Sequence, residues 1–437
     1  MPGTRPPSNA FHPSTKLYRF TILAFISLLT FGSYFAYDII GALAPRLVQE
    51  LGAGRETVGT LYTMYSIAAI LSVLIGGILI DRLGTRRASL IFSTLVLAGS
   101  CLVAYAQSIP MLSLGRFIFG AGSEPLIVAQ MAMVSKWFRG KELALAFGAT
   151  LTVSRIGTLF SFNTGELIAQ RYGGYHYSLV AAVLFCILSL TANVVYILMD
   201  SRGEKALKLK ERESGEKIVF RSVKEFGSSF WFITFLCLAF YSAIFPFTAL
   251  STDFFVDKWG IRSVAESSGG FFHQVFGNFL HMTSTAGGIT SIVIFASMVC
   301  APFAGHLVDR IGRRASLMIF GSLILIPSHL VMGLSKTNPV YSMIALGVAF
   351  VLIPAAMWPS VPLVVRKEVL GTAYGLMTMI QNIGLALFPN LNGRLRDITH
   401  SYTASQIMFA SLGLFGLLFA LLLKKSDAEH GRVLEKP

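Results

Sequence analysis

Four ionisable side chains, Asp38, Arg116, Glu124 and Arg155, lie inside long stretches that are otherwise apolar. If those stretches cross a bilayer, each charge costs at least about 2.5–3.5 kcal/mol at helix-centre depth, so it needs a partner or a task. Helix rise gives the depths. Glu124 stands about ten residues inside the end of the stretch 111–135, or ~15 Å. Arg155 stands about twelve residues into the stretch 142–170, or ~18 Å. Both fall near the middle of a ~30 Å hydrocarbon core. A carboxylate and a guanidinium at one depth can join as a salt bridge between their helices. They can also grip the two ends of a zwitterion, the acid on an ammonium and the planar fork on a carboxylate. A buried pair stabilises only weakly by itself, which favours the second use. Asp38 and Arg116 lie deeper from the same side, each ~27 Å, which predicts an outer-side ion pair acting as a gate or, in the favoured reading, a structural brace.

A softer set surrounds these charges. Phe245-Pro246-Phe247, Trp358-Pro359 with Pro362, and Phe388-Pro389-Asn390 put helix breakers where freed carbonyls need protein or cavity water. Tyr241, Trp358, Gln381 and Asn382 are candidates to line an amphipathic pocket there. With 35 Phe and 14 Tyr in the chain, packing is the ordinary explanation for any one aromatic.

The elements that must position these residues are membrane helices. Hydrophobic residues make up 54% of the 437 and charged residues 13%, with mean hydropathy +0.65. A soluble domain carries roughly twice that charge. Twelve stretches reach the roughly 20 residues a spanning helix needs, near 20–44, 57–80, 87–107, 111–135, 142–170, 177–199, 229–254, 282–307, 315–334, 339–364, 371–395 and 403–423. The first is too long for a signal-peptide core and reads as a retained helix. The spacing predicts a 1–19 terminus, a six-helix half over 20–199, a basic linker over 200–228, a second six-helix half over 229–423 and a 424–437 tail. The loop 257–281 holds an apolar run, Phe271 to Phe276, expected along the membrane interface, either as a lid over the outer mouth or as a lipid-facing insertion with no role in transport.

The net charge of +14 is a topology signal. Loops on the side of the termini hold 26 Lys and Arg, those on the other side 8, which sets both termini in the cytoplasm and argues against nucleic-acid binding. The four cysteines fall inside predicted spans without metal-ligand spacing, and the chain has no Walker loop, no Cys-x-x-Cys and no nucleophilic triad motif. No metal, cofactor or enzymatic activity is expected, so any transport runs on a gradient.

One motif occurs twice, 228 residues apart. Gly77-Ile78-Leu79-Ile80-Asp81-Arg82-Leu83-Gly84 follows the second stretch, and Gly305-His306-Leu307-Val308-Asp309-Arg310-Ile311-Gly312 follows the eighth. Gly77 and Gly305 would permit close helix packing. Asp81, Arg82, Asp309 and Arg310 would make charged contacts that hold one side shut and break on opening. A duplicated bundle with such a loop in each half points to a carrier that rocks its halves about a central site.

The motif resembles the loop after the second and eighth helices of the major facilitator superfamily. Phe31-Gly32-Ser33-Tyr34-Phe35-Ala36-Tyr37-Asp38, Gly115-Arg116-Phe117-Ile118-Phe119-Gly120-Ala121-Gly122-Ser123-Glu124, Trp137-Phe138-Arg139-Gly140-Lys141-Glu142-Leu143, and Leu370-Gly371-Thr372-Ala373-Tyr374-Gly375 with Ile380-Gln381-Asn382-Ile383-Gly384-Leu385-Ala386 are similar to its lysosomal dipeptide-transporter branch. That resemblance implies an all-α fold of twelve spans in two pseudo-symmetric halves and an alternating-access monomer carrying dipeptides. It also implies that Glu124 engages the peptide amino end, Arg155 the carboxylate, and Trp358 the pocket. Uniport and proton symport are both open, as are carriage of another small organic anion or zwitterion and a receptor that does not transport. The N-terminus lacks an acidic dileucine signal and the chain lacks Asn-x-Ser/Thr sequons, so a bacterial inner membrane is expected ahead of a lysosomal one.

Overall fold

In a computed structural model the chain is all helical; it describes residues 12–138, 142–207, 226–265, 269–366, 369–429 and 431–436. The helices are α1 (Lys16–Leu28), α2 (Phe31–Ala42), α3 (Ala44–Glu50), α4 (Arg55–Ala104), α5 (Ile109–Phe138), α6 (Leu143–Tyr172), α7 (Tyr175–Leu207) and α8 (Ser228–Thr248). They continue with α9 (Ser251–Trp259), α10 (Phe271–Leu280), α11 (Ala286–Ile311), α12 (Arg314–Leu334), α13 (Pro339–Met357), α14 (Val361–Val364), α15 (Leu370–Thr399) and α16 (Thr403–Glu429). Among the described residues, nine helices are long and apolar enough to cross a membrane.

Local sequence explains the breaks. α4 runs 50 residues, but Gly84 inside it has φ 76° and ψ 161°, a conformation glycine adopts without a Cβ clash, and divides it in two. The second motif copy ends α11 the same way, with Gly312 at φ 66° followed by Arg313 at φ 47°. Pro359 and Pro362 interrupt α13 with a 3-10 turn, Trp358–Ser360. The apolar run 271–276 folds as part of α10.

Helices α1 to α7 pack mainly on one another, as do α8 to α16 apart from α10; the two groups meet where α4 lies against α15 and α6 against α11, and α10 rests on α6. The start of α1 and the end of α16 lie on one face. There Asp200, fully buried, accepts from Arg86 Nε (2.6 Å), Lys136 Nζ (2.8 Å) and Trp137 Nε1 (2.6 Å), tying α7 to α4 and α5. In the second group the tail does the equivalent work: Glu435 accepts from the Ser316 backbone N–H (2.9 Å) at the start of α12, and Leu434 is buried beneath it.

Between described residues, the hydrogen bonds and ion pairs that join the two groups lie toward the opposite face. Arg55 pairs with Asp253 (2.5 Å), which also accepts from Tyr402 (2.6 Å). Asp397 of α15 accepts the backbone N–H of Glu56 (2.9 Å) and so caps α4, whose own N-cap, Gly54, has no side chain to do it. Asn390 donates to Thr60 (2.8 Å), Thr63 to the Ala386 carbonyl (2.5 Å), and Arg396 pairs with Asp257 (2.6 Å) within the second group beside them. A Cβ on Gly59 would strike the Pro389 backbone, and one on Gly393 the Arg55 backbone. The groups are shut there.

Toward the other face four glycines are open. A Cβ on Gly77, Gly148, Gly305 or Gly375 would meet nothing within 4 Å. Gly77 and Gly305 seat no close helix contact in this conformation. In this conformation it is Gly76 that packs tightly, with its Cβ position 2.5 Å from Pro125 Cβ.

Candidate functional site

Glu124 rises from α5 one residue before Pro125 and is half-buried. Its Oε1 accepts from the Tyr65 hydroxyl (2.8 Å) on α4. Tyr65 in turn packs edge-on against Tyr37 (4.7 Å between centroids). Arg155, on α6, is half-buried too, and its guanidinium lies over the Phe350 ring of α13 (5.0 Å to the centroid). Buried Arg155 Nε has no hydrogen-bond partner. Among the described residues no ion pair joins Glu124 to Arg155, and neither has any other charged partner within salt-bridge distance.

Aromatic rings extend from Arg155 into the second group. Phe350 meets Phe245 edge-on (5.8 Å), Phe245 stacks on Tyr241 (5.7 Å, 5° between planes), and the Tyr241 hydroxyl accepts from Trp358 Nε1 (3.0 Å). Tyr374 closes the row, donating to the Trp358 carbonyl (3.2 Å). Tyr241 and Trp358, singled out from the sequence, are thus joined in one wall. Gln381, half-buried, accepts from Cys237 Sγ (3.5 Å). Asn382 does not join them: it is 2% exposed and donates to the Thr378 carbonyl of its own helix (3.0 Å).

The expected Asp38–Arg116 ion pair is not made. Asp38 accepts from Thr158 (2.6 Å), bracing α2 against α6. Arg116, 1% exposed, donates to the Ala36 carbonyl (3.1 Å) and sits in a box of Tyr37, Tyr62, Tyr65 and Phe119, each 5.1–5.4 Å from its Cζ. Carbonyl dipoles and ring faces take the place of a carboxylate. In the duplicated motif, Asp81, Arg82 and Arg310 are exposed, and the side chain of Asp309 lies outside the described residues. Tyr65, Phe350 and the Arg55–Asp253–Tyr402 cluster are not singled out by the sequence: their residue types are visible there, but which distant helix each faces is not.

Long apolar helices in two packed groups, shut at one face, with unpaired opposite charges at mid-depth, define a membrane carrier. The family model described as Major Facilitator Superfamily matches residues 26–389 and 261–437, and the chain belongs to that family. Within it the chain is closely related to the MFSD1 type. It is 34% identical over 431 residues to "Lysosomal dipeptide transporter MFSD1" of Danio rerio (95% of this chain, 88% of that one) and 32% identical over 432 residues to the Homo sapiens protein of that name (96% and 88%). A crystal structure of peptide transporter POT in complex with alafosfalin superposes with TM-score 0.71 at 15% identity, covering 95% of this chain and 96% of that one, which is a likeness of fold. This is a transporter family and not an enzyme family.

The relatives overturn one expectation. They are eukaryotic and named for the lysosome, which favours a lysosomal over a bacterial inner membrane. The expectation rested on missing sequons and a missing sorting signal. Charge bias settles which side a loop lies on and is silent about which membrane holds it.

Proposed function

We propose that the chain carries dipeptides by alternating access, with Glu124 taking the peptide ammonium and Arg155 the carboxylate. The observation that supports this most is the absence of an ion pair between them. A structural bridge would join the two side chains; here each is held separately, Glu124 by Tyr65 and Arg155 by Phe350, and each keeps capacity for a charged ligand. The curated relatives named above supply the peptide class. The Tyr241–Trp358 wall suits varied peptide side chains, since ring faces contact them without selecting one. Twelve spans in two six-helix halves joined by the 200–228 linker, both termini cytoplasmic and one chain as the working unit complete the reading. The described conformation is then the inward-open end state. Gly77, Asp81, Arg82, Gly305, Asp309 and Arg310 would engage in the outward-open one.

The test is uptake of a labelled dipeptide into proteoliposomes, with and without a proton gradient. Saturable uptake in wild type, lost in Arg155→Ala and in Glu124→Ala, is the expected result. Dependence on the gradient separates symport from uniport. Uptake that survives both substitutions contradicts the assignment.

A further inference from the structure

α10 is chained to the second group, between α9 and α11, yet it is held by the first. Its Asn278, 2% exposed, donates to the Asn163 carbonyl of α6 (2.9 Å) and accepts from the Ala265 backbone N–H (2.8 Å). Gln274, a turn earlier, accepts from Arg171 at the end of α6 (3.3 Å), and Phe279 packs on Phe160 (5.2 Å). Asn163 fastens the same seam again, its Nδ2 donating to Ser291 of α11 (3.0 Å).

These contacts fix the depth of α10. α6 has 30 residues, hence about 45 Å of rise, and overhangs a ~30 Å core by ~7 Å at each end if centred. Asn163 lies nine residues before Tyr172, ~13 Å below the helix end and so ~6 Å inside the core. α10 therefore descends from Arg171 at the rim to Asn163 and Phe160 within the apolar layer. At that depth an amide needs internal partners, and Asn278 has both. Away from the protein α10 presents Phe272, Phe276 and Leu280, 85%, 62% and 66% exposed, at intervals of four residues on one helical face. The stripe carries no charge. The helix rests on α6, whose segment Leu145–Tyr172 is long and apolar enough to cross a membrane.

We propose that α10 is a re-entrant helix whose outer stripe packs against lipid acyl chains and whose Asn278 clasps the α6–α11 seam shut at the opposite face. When that face opens, α11 must move away from α6, and the short link 281–285 carries that displacement to α10 and loads the Asn278–Asn163 bond. The clasp therefore biases the carrier toward the conformation described here. This goes beyond the peptide reading and stands whatever the substrate is.

The test uses the full chain in lipid nanodiscs with its native cysteines replaced. A nitroxide at Phe276→Cys is expected to be relaxed by oxygen far more than by a water-soluble nickel chelate. Labels at Tyr172→Cys and Ser284→Cys report the width of the seam by pulsed dipolar spectroscopy. Asn278→Leu, similar in volume but without the donor, is expected to raise the ratio of wide to narrow seam about fivefold, as loss of one neutral hydrogen bond implies. Ser291→Ala, which removes the other staple at Asn163, is expected to shift the ratio the same way, and a single elution peak shows that each variant is folded. Nickel relaxation exceeding that by oxygen at position 276, or a seam distribution unchanged in both folded variants, overturns the proposal.

Discussion

Arg155 and Glu124 became visible in the sequence because a charge in an apolar stretch is costly, and their depths agreed because helix rise is constant. What they would do there was open, since depth alone cannot separate a salt bridge from a ligand clamp. The structure leaves them apart, one against Tyr65 and the other over Phe350. Arg155→Lys keeps the charge but loses the fork; with a charge-assisted hydrogen bond contributing about 1.5–3 kcal/mol, substrate affinity is expected to fall roughly 10- to 100-fold in a binding titration. Tyr65→Phe removes only a hydroxyl that orients Glu124. It is expected to weaken affinity by about fivefold or less, an effect absent in the Glu124→Gln background. The same depth reasoning paired Asp38 with Arg116, and there it failed. Arg116 is held by the Leu61 and Ala36 carbonyls and four rings, and those contacts are set by packing that no spacing rule reveals.

At the scale of the element, breakers and caps were legible and partners were not. Gly84 and Gly312 stand in the repeated motif and end their helices with positive φ. Nothing local marked Asp397 as the cap of α4, because it lies 341 residues from the N–H it accepts. Asp397→Ala is expected to weaken closure of the opposite face by about 1 kcal/mol, read as a larger open fraction by cysteine accessibility at that face. Asp200 is the corresponding hub at the termini face, buried and bonded to Arg86, Lys136 and Trp137. Asp200→Ala removes an acceptor shared by Arg86, Lys136 and Trp137, while Glu204 still pairs with Lys136, and is expected to cost about 1.5–3 kcal/mol, seen as a lower thermal unfolding midpoint in detergent. An unchanged midpoint contradicts the hub.

For the whole molecule, two sets of glycines record the conformation. Gly59 and Gly393 sit backbone to backbone with the other group, while Gly148 and Gly375 face open space. Side chains at Gly148 and Gly375 therefore fit the described conformation and obstruct closure of the termini face. The double variant Gly148→Leu, Gly375→Leu is expected to fold and bind substrate within about threefold of wild type. Its transport is expected to be lost. Transport at the wild-type rate contradicts the assignment of that face as the moving one. The all-helical, membrane-embedded character of the fold was legible because periodic apolar stretches and a repeated motif survive in any one sequence. The present conformation was not, since it belongs to contacts between groups.

The most direct measurement of the central claim is competition by end-blocked dipeptides for uptake, in wild type, Glu124→Gln and Arg155→Lys proteoliposomes. The clamp predicts that N-acetylation weakens competition strongly in wild type and hardly at all in Glu124→Gln, and that C-amidation weakens it strongly in wild type and less in Arg155→Lys, whose ammonium keeps the charge but not the fork. Equal, additive losses from each block in all three proteins would contradict contact between these side chains and the two ends of the peptide.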